Sequence, residues 1–182
     1  SETGVTYAFP GKKNLLQMHF EGANPDPLIQ GGEILKGKVN YLIGKDQSRW
    51  HTNIPTYREV VYKNLYHGID YKVIGKAKTL ESEFHVQPGA NVGEIKLGFT
   101  AGVETLGIDA AGNLVIQGKD GTLIEKVPFV YQDIDGKRVE VASRYWVKNK
   151  NYGFTVAVYD QSKELVIDPT LEYSTYLGGS GN

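Results

Sequence analysis

Cysteine is absent from the 182-residue chain. No disulfide framework and no thiolate zinc site can be built from it, and a thiol nucleophile is excluded. The absence is neutral about compartment. Long hydrophobic runs are lacking too: none approaches the roughly 20 apolar residues that a membrane-spanning helix needs. The first residues carry no basic and apolar leader, which leaves export of the parent protein open. Charge of one sign is missing as well. Lys and Arg number 20 against 21 Asp and Glu, for a net charge of −1, and like charges do not cluster. Neither nucleic acid nor direct membrane insertion is therefore expected. Finally, helical periodicity is missing, because no stretch of about twelve residues sustains apolar positions at a period of 3.6.

Reactive constellations are scarce. There is no Gly-x-Ser-x-Gly elbow and no His-Glu-x-x-His. Gly31-Gly32 and Gly178-Gly179 are not followed by the Gly-Lys-Ser/Thr of a phosphate loop. The histidines His19, His51, His67 and His85 offer no local pair at zinc-ligand spacing; His67 with Asp70 is a possible pair in a turn. Asp133-x-Asp135-Gly136 lacks the later ligands of a calcium loop and reads as a hairpin turn. No metal and no cofactor is expected.

What is present is a chain of strands and turns. Twelve tyrosines and 22 glycines favour strands and tight turns over helices. Leu80, Ser82, Phe84 and Val86 alternate with Glu81, Glu83, His85 and Gln87, the cleanest half-buried strand in the chain. Leu165 to Ile167 read as a buried strand that Asp168-Pro169 ends. Gly112-Asn113, Asp120-Gly121 and Asp135-Gly136 mark hairpins. Val139, Val141, Ser143, Tyr145 and Val147 read as one strand, Trp50 to Pro55 as irregular, and Asn64 to Gly68 as a turn. The expected fold is all-β: an antiparallel β-sandwich or barrel of roughly a dozen short strands joined by tight turns, with little or no helix.

Candidate sites are few. Glu81 and Glu83 lie two apart on one strand face, so their carboxylates stand roughly 6 to 7 Å apart, near the spacing of a glycosidase pair. A solvated face shared with His85 and Gln87 is the simpler reading. Trp146 falls on the polar face with Arg138, Glu140, Arg144 and Lys148, where an indole can stack on a sugar ring or a partner. Trp50 sits in Ser48-Arg49-Trp50-His51, near Tyr57. Trp146, Trp50, Tyr57 and Arg144 are therefore the candidate ligand-binding residues, and no catalytic residue is assigned.

The segment Tyr173-Ser174-Thr175-Tyr176-Leu177-Gly178-Gly179-Ser180-Gly181-Asn182 resembles the opening of the first blade repeat of bacterial SBBP (β-propeller repeat) proteins. The stretch before it resembles the uncharacterised amino-terminal domain of those proteins. The residues that carry this are Asn40-Tyr41 with Gly44, Trp50, Pro55, Tyr57, Val60-x-Tyr62 and Leu65-Tyr66-x-Gly68-Ile69-Asp70-Tyr71. They continue with Phe84, Pro88-Gly89-Ala90, Gly112-Asn113-Leu114, Pro128, Tyr131-Gln132, Tyr159-Asp160 and Leu165-Val166-Ile167-Asp168-Pro169. The resemblance implies a secreted or cell-surface bacterial protein, with an amino-terminal module over 1–170 and the start of a propeller repeat over 171–182. The expected function is structural or adhesive and non-catalytic. The partners it implies are the β-propeller of the same chain and, beyond it, a polysaccharide or another surface protein. A carbohydrate-binding module is the alternative, and a glycoside hydrolase the third reading.

Overall fold

The computed structural model describes residues 4–8, 15–42, 46–75 and 80–174. Numbered in chain order, the strands among these residues fall into four antiparallel sheets. A five-stranded sheet has the order β1 (Gly4–Ala8), β2 (Leu15–Phe20), β9 (Lys96–Ala101), β16 (Asn151–Val156), β15 (Ser143–Lys148). A seven-stranded sheet has the order β14 (Lys137–Glu140), β13 (Phe129–Ile134), β17 (Leu165–Asp168), β8 (Leu80–Val86), β7 (Ile69–Gly75), β6 (Glu59–Tyr66), β3 (Leu28–Gly31). A four-stranded sheet follows the order β10 (Val103–Ile108), β11 (Leu114–Gly118), β12 (Thr122–Glu125), β18 (Leu171–Ser174). The strands β4 (Ile34–Tyr41) and β5 (His51–Tyr57) form a separate hairpin. Helix is confined, among the described residues, to two 3-10 turns at Gln47–Arg49 and Val92–Glu94. The fold is all-β, as the alternation predicts, and none of these sheets closes into a barrel.

Period-two alternation decides which side chains enter the core. On β2, Leu16, Met18 and Phe20 are buried while Leu15 and Gln17 are exposed. On β17, in the middle of its sheet, Leu165, Val166 and Ile167 are all buried. The five- and seven-stranded sheets meet through rings: Phe20 lies 5.0 Å from Tyr71, and Phe84 lies 5.8 Å from Phe154, centroid to centroid. Val103, Leu114, Ile116 and Leu123 of the four-stranded sheet join the same core.

Turn chemistry sets the hairpins. Asp135 and Gly136 both take positive φ, 50° and 75°, between the paired residues Ile134 and Lys137. This is the backbone of a type I′ turn, whose twist matches that of its strands. Asp109 closes the β10–β11 hairpin by accepting hydrogen bonds from the backbone N–H groups of Ala111 and Asn113, each at 2.9 Å.

Among the described residues the strands run from β1 to β18, more than the dozen expected, and the difference has local causes. The stretch 139–147 is two strands in two sheets. The chain crosses at Val141-Ala142, where Val141 N–H donates to the Val130 carbonyl and Ala157 N–H to the Ala142 carbonyl. Trp146 therefore does not share a face with Arg138 and Glu140, which belong to β14. Of the stretch Trp50 to Pro55, expected to be irregular, residues 51–55 belong to β5; its pairing is with β4, and the strand is hidden in the sequence because it lacks a buried face. The expected turn at 64–68 is shorter. β6 runs on to Tyr66 through a bulge, with Asn64 at φ 50° and its N–H bonded to Asp70 Oδ1 at 2.8 Å.

One buried polar side chain fastens the loop between β16 and β17. Gln132 is 2% exposed; its Oε1 accepts from Asp160 N–H at 2.9 Å, and its Nε2 donates to the Asp160 carbonyl at 2.8 Å. Gln132→Leu leaves both backbone groups without this partner, so a loss of about 2 to 3 kcal/mol in urea unfolding is expected. Faster proteolysis of 157–164 should accompany it. Unchanged stability with unchanged proteolysis would show that the loop holds itself.

Candidate functional site

Alternation along β12 places Glu125 on the same inward face as Leu123. Its cross-strand neighbours are Leu114 on β11 and Leu171 on β18. A carboxyl therefore occupies a position that the sheet otherwise gives to leucine, and it is 7% exposed. Two phenols reach it from the five-stranded sheet: Tyr152 Oη stands 3.4 Å from Oε1 and Tyr145 Oη 3.4 Å from Oε2. Both bonds are long, and both hydroxyls have competing acceptors. Tyr145 Oη is 3.0 Å from the Lys126 carbonyl, and Tyr152 Oη is 3.5 Å from Met18 Sδ. A weakly solvated carboxylate in such a place is costly. Burial pushes the Glu125 carboxyl up to about 7, against the smaller opposing effect of the hydrogen bonds from Tyr152 and Tyr145. The same burial raises the Tyr71, Tyr145 and Tyr152 hydroxyls above their usual value, so they stay neutral.

Glu125 also lines a cavity of about 300 Å³ at the junction of the three larger sheets. Thr6 and Tyr7 of β1, Tyr62 of β6, Tyr71 of β7 and Ser82 of β8 form much of its wall. Tyr62 and Tyr71 face each other across β6 and β7 with centroids 5.9 Å apart. The walls are thus mostly ring and alkyl surface with a few hydroxyls and one acid, the usual make-up of a small-molecule pocket. Glu125 does not stand out by composition or motif, because the run Leu123-Ile124-Glu125-Lys126-Val127 reads as apolar with charged interruptions. The signal was there: counting by twos from Leu123 puts Glu125 inside.

A second cluster lies on the outer face of β7 and β8. His85 Nε2 is 3.0 Å from Glu83 Oε2, and His85 Nδ1 is 3.2 Å from Glu164 Oε1. Lys72 pairs with Glu59 at 2.9 Å beside it. The hydrogen bond to Glu83, with help from Glu164, holds His85 above its ordinary value, and the bond from His85 holds Glu83 below its own. A glycosidase needs one carboxylic acid with its pKa raised, and Glu83 is shifted the other way. The cluster is an ion-pair network on a half-buried face. His67 is exposed, and Asp70 is bonded to Lys63 Nζ at 2.6 Å. Among the described residues no group of three His, Asp or Glu side chains is placed to hold a metal ion.

The residues singled out as ligand-binding candidates fall into two groups, one on β15 and one at the ends of β5. Trp146 and Arg144 share a face of β15, an edge strand, and are brought together there. The Trp146 indole is half-buried because it lies over its cross-strand partner Gly153: a methyl added there would stand 2.7 Å from the ring and 2.5 Å from the Ile95 carbonyl oxygen. Trp50 follows the 3-10 turn, its N–H donating to the Gln47 carbonyl at 3.1 Å. Tyr57 ends β5, with its ring over Gly31. Trp50 and Tyr57 thus bracket β5. Trp146 covers the backbone at Gly153, and Tyr57 the backbone at Gly31.

The chain belongs to a family described as a domain of unknown function, DUF7948, whose family model matches residues 4–170. No curated protein and no solved structure matches it.

Proposed function

We propose that this DUF7948 domain is a non-catalytic structural or adhesive module of a secreted or cell-surface bacterial protein, and that it packs against a β-propeller of the same polypeptide. The observation that carries this reading is the outer surface of β3, β4 and β5. Leu28 is 62% exposed and Ile34 67% exposed, with Ile29, Val39, Leu42 and Tyr57 also open to solvent. Among its described residues, the β4–β5 hairpin contributes none to the core. Scattered exposed apolar residues are ordinary, but a run of them on one hairpin and its neighbouring edge strand fits a docking surface. The non-catalytic half of the reading rests on Glu83, which is tied up by His85 and shifted away from the acid role, and on Glu125, whose hydrogen-bonding partners are phenols.

Hydrogen exchange is the test. In the polypeptide that carries the following repeats, the amides of β4 and β5 should exchange at least about tenfold more slowly than in the 182-residue chain alone. Equal exchange in both would remove the hairpin as a docking surface. Turnover of a glycoside by the isolated chain would overturn the non-catalytic reading.

A further inference from the structure

A buried carboxyl without a cation asks for one. The influences on Glu125 are burial and two tyrosine hydroxyls, and among the described residues no lysine, arginine or histidine stands with them. Glu125 is also one of the residues that line the cavity. Three phenol rings, those of Tyr7, Tyr62 and Tyr71, stand in its wall among aliphatic side chains, and the negative face of such a ring attracts positive charge. We propose that the cavity in front of Glu125 is a binding site for a small organic ammonium ion, whose charge meets the Glu125 carboxylate and whose alkyl groups meet the rings of Tyr7, Tyr62 and Tyr71.

Other ligand classes fit less well. An anion would be placed against a carboxylate. A metal ion needs several hard ligands, and the described residues assemble no such set. A neutral apolar molecule would leave the acid unpaired in a drier site than before. An organic ammonium ion uses both kinds of wall, and a volume of about 300 Å³ suits a small one. The site is separate from the β3–β5 surface, so it stands or falls independently of the docking reading.

Binding should depend on pH through Glu125. The titratable groups facing it are phenols: Tyr145 on β15, Tyr152 on β16 and Tyr71 on β7, with Tyr7 and Tyr62 across the cavity. Burial keeps Tyr71, Tyr145 and Tyr152 neutral far above neutral pH. With the acid pushed up to about 7, the site is mostly ionised at about pH 8.5 and mostly neutral at about pH 5.5.

The experiment is calorimetric titration of the 182-residue chain with tetramethylammonium chloride, and separately with 2,2-dimethylpropan-1-ol, a neutral compound of similar shape. At about pH 8.5 the cation should bind at least about tenfold more tightly than the alcohol, and at about pH 5.5 its affinity should be roughly thirtyfold weaker, following the ionised fraction. Glu125→Gln should abolish that pH dependence. Tyr62→Leu keeps the carboxyl and changes a half-buried ring, so it should weaken the cation by about tenfold even if the Gln variant does not fold. Three results would each overturn the proposal: no saturable binding of tetramethylammonium at about pH 8.5, alcohol binding as tight as the cation's, or equal cation affinity at both pH values.

Discussion

The unfolding free energy of the domain is expected to fall by about 3 kcal/mol as pH rises from 4.5 to 8, with Glu125 the cause. In the unfolded chain its carboxyl returns to the ordinary value of 4.5, while in the folded chain it titrates at about 7. Between those values the folded state holds a proton that the unfolded state has lost. The stabilisation is complete below 4.5 and is lost as pH rises to and through 7. The size follows from about 1.4 kcal/mol for each tenfold change in proton affinity. His85 slopes in the same direction: its value is raised from 6.5 by Glu83 and Glu164, so its contribution is present below 6.5 and fades as pH rises through the folded value. Glu83, held low by His85, acts oppositely and loses its contribution as pH falls below 4.5. Urea unfolding of Glu125→Gln across the same range separates these effects. The variant should keep the shallow His85 slope and lose the steep part. A wild type whose stability is level from 4.5 to 8 would refute the assignment.

Phe84→Ala is expected to cost about 3 to 5 kcal/mol, enough to unfold a large fraction of a marginal domain. Phe84 is 1% exposed, with Tyr71 beside it at 4.8 Å and Phe154 across the sheets at 5.8 Å. Tyr71 in turn meets Phe20, and Phe154 meets Tyr145. The ring is therefore a joint between the two large sheets, and its neighbours are held by their own strands and cannot collapse into the gap. Val158→Ala is the control, since Val158 is fully exposed and should change stability by no more than about 0.5 kcal/mol. Urea midpoints of the two variants give the comparison. A Phe84 variant as stable as the Val158 variant would mean that the sheets do not share this joint.

The legible parts of this molecule are those in which a local rule and a tertiary need coincide. The strand Leu80–Val86 was readable because half of it faces the core and half faces water. Leu165–Asp168 was readable because a central strand is apolar on both faces, and Asp135-Gly136 because a type I′ turn demands residues that tolerate positive φ. The hairpin β4–β5 was not, since with no buried face it shows no alternation. The crossing at Val141-Ala142 was hidden for a different reason: alternation continues through it while the hydrogen-bonding partner changes from β13 to β16.

The cavity was the least legible feature. Its rings come from β1, β6 and β7 and the phenols on Glu125 from β15 and β16, so the cluster exists only once three sheets have packed. Trp146 stands out by type, yet type says nothing about whether a ring covers neighbouring backbone, as this one covers Gly153. Glu125 was overlooked by type, because a glutamate in a strand is usually on the wet face.

Direct observation of the Glu125 carboxyl tests the account at its centre. Carbon-13 NMR of the glutamate side-chain carboxyls, followed across pH in the wild type and in Glu125→Gln, resolves each titration. One signal should titrate near 7 in the wild type and be missing from the variant. If every glutamate carboxyl titrates near or below the ordinary 4.5, Glu125 is ionised and solvated at neutral pH, and the neutral acid at the wall of the cavity does not exist.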